Sequence, residues 1–513
     1  MRRPSNLKSD KESLYFIFIF ICSIFVHLCV SLQGWYNPLL DLHHFRQTQT
    51  AITSYYIIEE GFKLKYITPV FGYPWSIPLE LPLFQWIVSV FVIIFKTPLD
   101  QTGRFISLTF FYLSLIPLFL ILKSLFNKNN YVYIFISLVL INPTYLYWSR
   151  AFLIESLALF LGISFGWLVM KLIQSVKLYF LFLASLFGCL AGLVKITTFV
   201  VICGPVALYF LYSFFNENAE QKPNKIKRYL LYFIFIFCLP ITVNFYWVQF
   251  ADIQKNMNPL ASGFITSKAL MDWNFGTLAQ KISVSTWSDI FYNSFSAMGS
   301  FFGFFYILSV LLLIFIFIFL CKSYRKEMSY TVFFYLIGPV IFTNLYAVHS
   351  YYCYANNFFL SILFGLIIIS FFENIKYKKI GIYFYPFILI YMFFVYIDAY
   401  YNYQKSNTNY EIINVAEAIK KNTKSRDVLL IYGQDWDSSL PYYAQRKAVM
   451  DRQNLPLSDS RMITVIKNNN IQAMVISGFY DPDFICDRIK LLDLNQKPIF
   501  VFGNTRIYTR KVL

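Results

Sequence analysis

Apolar runs long enough to cross a bilayer fill most of the first 400 or so residues of this chain. They fall at about 14–32, 81–95, 104–122, 131–148, 152–170, 178–195, 197–215, 229–248, 301–321, 329–348, 354–372 and 380–398. In hydrocarbon each backbone N–H and C=O must find its partner within the protein, so such a pattern dictates packed transmembrane helices. Composition agrees: 58% of residues are hydrophobic, 21% aromatic and only 14% charged, where a soluble domain carries roughly a quarter charged. A soluble enzyme and a disordered chain are both excluded. The net charge of +17 would suggest nucleic acid in a soluble protein. Here it reads as the basic excess of cytoplasmic loops together with contacts to anionic lipid. The eight cysteines form no CxxC and no paired framework, so they read as small apolar residues rather than metal ligands or disulfides.

The chain changes character near residue 400. From Asn402 onward it carries 16 basic and 11 acidic residues and shows short mixed elements. Glu411–Lys421 has helical spacing, Val428–Tyr432 and Ala473–Ser477 read as strands, and a helical stretch near Asp459–Lys467 lies between them. The expected architecture is therefore a polytopic α-helical membrane protein of about 11–13 spans with a small C-terminal α/β domain. Its parts are a cytoplasmic segment 1–13, a transmembrane region 14–400 and an extracytoplasmic domain 401–513.

Orientation follows from the basic clusters. Lys222/Lys225/Lys227/Arg228, Lys322/Arg325/Lys326 and Lys376/Lys378/Lys379 are separated by pairs of spans, so they share the cytoplasmic side. The N-terminus, with Arg2, Arg3, Lys8 and Lys11 before an uncleaved anchor, lies on that side too. Both counts agree only if the number of crossings is odd. The simplest repair is one non-crossing segment between about residues 77 and 125, for which the short run at 81–95, opening on Leu81-Pro82, is the candidate; a further span in that stretch is the alternative. This places the N-terminus inside and the C-terminus outside, in an inner or plasma membrane, with outer loops at about 33–80 and 249–300.

The polar residues of the membrane region then gather on the outer side. They are Asp41, His44 and Arg46 after the first span, Glu80 before Pro82, Arg150 and Glu155 in a later turn, Lys195 at a span end, and His349 with Tyr351 and Tyr352. Each has a structural explanation when taken alone. Arg150 and Glu155 would make an ion pair, Lys195 would snorkel, and the tyrosines would join an aromatic belt. His43 and His44 are adjacent and do not face one metal site on a helix. Convergence on one face points instead to chemistry: a carboxylate as general base toward a hydroxyl, and cations to stabilise a departing phosphate. No Walker A and no GxGxxG motif is present, which fits a reaction whose activated sugar is carried on a lipid.

At these residues the sequence resembles the GT-C membrane glycosyltransferases, in the branch of bacterial protein-mannosyltransferases, aminoarabinose transferases and lipopolysaccharide-core transferases. The marks are Asp41 followed by His44-Phe-Arg46-Gln47-Thr-Gln-Thr-Ala51, then Glu80-Leu-Pro82, Ser149-Arg150 with Glu155, Gly192 to Lys195, and His349-Ser-Tyr-Tyr352. The resemblance covers roughly residues 14–400. It implies an inverting transfer of a monosaccharide from a polyprenyl-phosphate donor to an acceptor hydroxyl on a surface glycan, lipopolysaccharide, lipid or protein, at the extracytoplasmic face. It implies Asp41 as base, Glu155 as the second acidic residue and Lys195 as a lysine near the donor phosphate. Beside these, the chemistry of the gathered residues makes Arg150, His349 and Tyr352 the expected further contacts to the donor phosphate, and His44, Arg46 and Glu80 the candidates for sugar or acceptor contacts. The family pattern admits a divalent metal, Mg or Mn, on Asp41 and Glu155. Two departures weigh against it: Leu42 stands where many relatives carry a second acid, and Glu155 where many carry Asp. Competing classes are a lipid-linked glycan transporter or flippase, expected to show paired repeats, and an O-antigen polymerase or ligase, expected to show a very large late outer loop.

Overall fold

A computed structural model describes residues 5–126, 128–217, 222–295, 324–374, 376–406 and 410–510, with positions 308, 311, 312 and 315. The expected span at 301–321 lies almost entirely outside the described residues. The chain forms two compact units, each assembled from separate stretches. The first comprises residues 1–35, 105–245 and 271–405, and the second comprises 36–104, 246–270 and 406–513.

The first unit is helical. Its elements include α1 (Ser5–Leu32), much of α4 (Leu99–Leu125), α5 (Asn129–Ile141), α6 (Pro143–Trp148), α7 (Glu155–Ser175), α8 (Leu178–Val194) and α9 (Ile196–Asn216); α2 (His44–Glu60) and α3 (Leu83–Phe95) belong to the other unit. Helix α7 packs on α8 and α9, and α1 packs on α5. The apolar residues run all round these helices, as expected for helices that face either one another or lipid. Among the described residues six helices are long and apolar enough to cross a membrane, and four shorter apolar helices accompany them.

Hydropathy does not register where these helices break. The expected span 131–148 is two helices, α5 and α6, divided at Asn142-Pro143. The ring of Pro143 cannot continue α5 but suits the first turn of α6, and the Asn142 side chain accepts from the N–H of Thr144 at 3.0 Å. The expected span 329–348 likewise divides at Phe342, into helices Arg325–Ile341 and Thr343–Val348. By contrast, Lys222–Phe233 and Leu239–Asn256 run on through a single π-turn, Ile234–Cys238. Pro240 follows at once, and the wider turn accommodates its missing donor.

The second unit is built on a five-stranded sheet. Strands β1 (Val428–Tyr432), β2 (Lys447–Met450), β3 (Ile471–Ser477), β4 (Phe500–Phe502) and β5 (Thr505–Thr509) take the order β2-β1-β3-β5-β4. The first three are parallel and the last two antiparallel to their neighbours. The open edge of β2 is occupied by residues 69–72. Pro69 accepts from Ala448, Val70 from Met450, and Gly72 donates to Ala448, at 2.8–3.1 Å. An unpaired strand edge invites aggregation, and this pairing removes it. Asn258, fully buried, donates to the carbonyls of Phe71, Gly72 and Pro74 and accepts from the N–H groups of Leu260 and Ala261. One face of the sheet packs against Val70, Phe71, Ile77, Ala261, Ile265, Val415 and Ile419. The core of the α/β fold thus includes residues from two segments far upstream of the C-terminal stretch.

Candidate active site

Lys195 is the one residue between α8 and α9, and its backbone is extended (φ −160°, ψ 96°). Its N–H completes α8 on Ala191 and its carbonyl starts α9 with Phe199. The chain is thereby folded sharply, and the lysine side chain is held at the break. It forms an ion pair with Glu155, and both side chains are more than nine-tenths buried. Glu155 opens α7, where the helix dipole favours a carboxylate. Its second oxygen, Oε2, has no hydrogen-bond partner among the described residues.

Aromatic rings cover this pair. The Lys195 ammonium sits 4.2 Å from the centroid of Tyr352 and 5.2 Å from that of Tyr351, a cation–π arrangement. His349 stacks on both tyrosines at 5.2 and 6.0 Å, and Trp273 meets His349 edge-on at 5.9 Å. The structure thus brings together Glu155, Lys195, His349 and Tyr352 of the expected residues, and adds the Trp273 ring. Trp273 stands in Met271-Asp-Trp-Asn-Phe-Gly276 of the 249–300 loop, a stretch that reads in sequence as a cover for the site or, more readily, as an amphipathic interfacial helix.

Arg150 lies in the buried, non-helical turn 149–154 between α6 and α7. It donates to the carbonyl of Gly34 at 3.4 Å, and the ion pair of Glu155 goes to Lys195. The turn is pinned from three sides. Ser149 meets His27 at 3.3 Å, Ser107 donates to Leu153, and Ser156 shares a hydrogen bond of 2.8 Å with Tyr354. His27 in turn bonds Tyr112 at 2.8 Å. Irregular backbone among transmembrane helices is tolerated only where protein or a cavity surrounds it.

The remaining expected residues belong to the second unit. The strand of chain leading to Asp41 is anchored by Arg104, which donates to Asn37 and Pro38, and by Tyr443, which accepts from Leu39. Asp41 accepts from Gln47 at 2.5 Å, and its carbonyl receives the N–H of His44. His43 adopts the left-handed conformation (φ 52°) and so ends the loop before α2. His44 pairs with Asp437 at 3.0 Å. The hydrogen bond to Asp437 raises its pKa, while burial lowers that of His43 to about 4. Arg46 pairs with Glu80 at 2.9 Å and also bonds Gln49. Glu80 accepts from Gln85, and Tyr66 donates to the Glu80 carbonyl. Asp437, with Trp436 stacked edge-on to Phe45 at 4.8 Å, was not legible as a site residue, because an acidic loop after a strand is ordinary surface chemistry.

The Glu155 carboxylate already carries an ammonium, and among the described residues no three His, Cys, Asp or Glu side chains converge as a metal-binding group.

The fold is similar to two solved membrane proteins. ArnT from Cupriavidus metallidurans, bound to undecaprenyl phosphate, superposes with a TM-score of 0.61 at 12% identity, over 96% of this chain and 97% of that one. The archaeal oligosaccharyltransferase AglB from Archaeoglobus fulgidus, in complex with an inhibitory peptide and a dolichol-phosphate, gives a TM-score of 0.55 at 12% identity, over 90% of this chain and 69% of that one. No family model and no curated protein matches the chain in sequence.

Proposed function

From the GT-C fold of a multi-pass membrane protein as premise, we propose that this chain is a glycosyltransferase that uses a polyprenyl-phosphate sugar and acts at the extracytoplasmic face. The observation that carries the reading is the buried Lys195–Glu155 pair beneath Tyr351 and Tyr352. An ammonium has three N–H donors, enough to serve a carboxylate and a phosphate oxygen together. Glu155 fixes the position of that ammonium, and the rings exclude water, which strengthens its field on a leaving phosphate. Arg150, His349 and Tyr352 complete the donor side.

In the proposed reaction Asp41 accepts the proton of the acceptor hydroxyl. The oxygen attacks the anomeric carbon from the face opposite the phosphate. The bond from that carbon to the phosphate oxygen breaks, polyprenyl phosphate departs with the electron pair, and configuration inverts. His44, Arg46 and Glu80 contribute substrate contacts.

The test is transfer from a polyprenyl-phosphate sugar by the full chain in liposomes. Asp41→Asn is expected to lower kcat by at least about a hundredfold, the usual worth of a positioned base, with donor binding retained. Undiminished transfer by that variant removes Asp41 as base. Lys195→Met is expected to abolish binding of polyprenyl phosphate, and retained binding removes the donor assignment.

A further inference from the structure

The second unit carries a cleft that the proposed reaction does not use. It has a volume of about 510 Å³ and is lined by Asn454, Ser477, Gly478, Phe479, Tyr480, Asp481 and Phe484. Its place in the fold is informative. From β1 the chain goes to β2 on one side and then to β3 on the other, so the carboxyl ends of β1 and β3 form a switch point, where open parallel sheets bind ligands.

The loops that leave β1 and β3 press together there. Gly433 (φ +83°) passes so close to Ser477 that a Cβ would lie 1.9 Å from its carbonyl oxygen. Gln434 donates to the Ser477 hydroxyl at 2.9 Å. Gly478 (φ +103°), in contrast, faces open space. The aromatic side of the cleft is built on rings held from behind. Tyr480 and Phe484 are stacked at 5.0 Å, Tyr432 closes on Phe484 at 5.1 Å, and the Arg488 guanidinium lies 3.4 Å from the Phe484 centroid. Phe479 projects from the loop with 86% of its surface exposed.

The polar lining selects among ligands. It is neutral apart from one carboxylate, Asp481, and contains no cation. Asp481 caps the helix Pro482–Leu492 with its own side chain, so the positive end of that helix is already satisfied and a phosphate would face a carboxylate. Flat aromatic rings beside hydroxyl, amide and carboxylate groups suit a ligand with an apolar face and a polyhydroxyl edge.

We infer that this cleft binds carbohydrate, a neutral or amino-sugar oligosaccharide, through Phe479 and Tyr480, as the docking site for the glycan acceptor. The acceptor role rests on the proposed transferase reading, whereas carbohydrate binding does not.

The test uses the full chain in nanodiscs on an array of bacterial oligosaccharides, with dextran sulfate as the anionic control. Binding to neutral or amino-sugar glycans is expected. Phe479→Ala should weaken it about tenfold, Phe479→Trp should retain it, and Val501→Ala on β4 should leave it unchanged. No glycan binding, preference for the sulfated polymer, or equal binding by Phe479→Ala overturns the inference. Transfer kinetics with the matching acceptor separate the two readings. Phe479→Ala should raise KM for a long acceptor severalfold and leave kcat unaltered. Transfer with an unaltered KM would sink the acceptor site alone. Glycan binding without any transfer would sink the transferase reading alone.

Discussion

The Lys195–Glu155 pair shows why a buried charge is informative in this chain. Desolvating both ions costs more than their attraction reliably returns, so stability alone gives no reason to keep them. Lys195→Met leaves the Glu155 carboxylate uncompensated and is expected to destabilise the protein by about 3–5 kcal/mol. Adding Glu155→Gln should restore most of that loss, read as the thermal midpoint in detergent, without restoring transfer. A double variant as unstable as the single one would show that the pair does not act as a unit. His43 and His44 make opposed contributions to stability. His44 has a raised pKa, so its stabilisation is complete below the unfolded value of about 6.5 and is lost as pH rises through the folded one. His43 is lowered to about 4, so its contribution is complete above about 6.5 and is lost as pH falls toward 4. Thermal midpoints across pH 4–8 should therefore lose their alkaline decline in His44→Asn and part of their acid decline in His43→Asn. The identities of these polar residues were legible in the sequence, because charge is scarce among apolar runs. Their partners were not, since Glu155 meets Lys195 across 40 residues and His44 meets Asp437 across far more.

Helices and strands differed in how well local pattern revealed them. Strand β1 coincides with the apolar run Val428–Tyr432, and the helix Ser460–Asn468 falls where spacing placed it. Strands β2, β4 and β5 escaped notice. Lys447–Met450 is only four residues and begins on a lysine, and Thr505–Thr509 alternates polar and apolar residues weakly. The helix breaks at Asn142 and Phe342 escaped because hydropathy averages over them. Close approach between helices leaves a different trace, a small residue. At Gly365, in the helix Asn357–Glu373, an added Cβ would lie 2.3 Å from the ring of Phe135 on α5. Gly365→Ala is expected to cost about 1–3 kcal/mol through overpacking. Phe135→Leu in the same chain should relieve part of it, and simple additivity of the two in a double-mutant cycle would refute the contact.

The two compact units cut across the order of the chain. The sequence divides near residue 400 by composition, but the α/β core also draws on Val70, Phe71, Ile77, Ala261 and Ile265. Composition could not reveal this, because those residues look like any apolar loop beside a membrane. A fragment of residues 406–513 alone should therefore lack a cooperative thermal transition and dispersed amide resonances, whereas the same stretch within the full chain should be protected from protease. A stable, well-dispersed fragment would refute the shared core. The pairing of the early segment with the sheet also sets a timetable. The Tyr73 N–H donates to the side-chain oxygen of Asn469, 396 residues later. At about 5–20 residues per second, the ribosome needs roughly 20–80 s to supply that partner. During that interval Val70 and Phe71 have no sheet to join, while later helices are still being inserted. The unit can therefore close only at the end of synthesis, and premature termination anywhere before β3 leaves the first loop of the protein exposed to proteases and holdases.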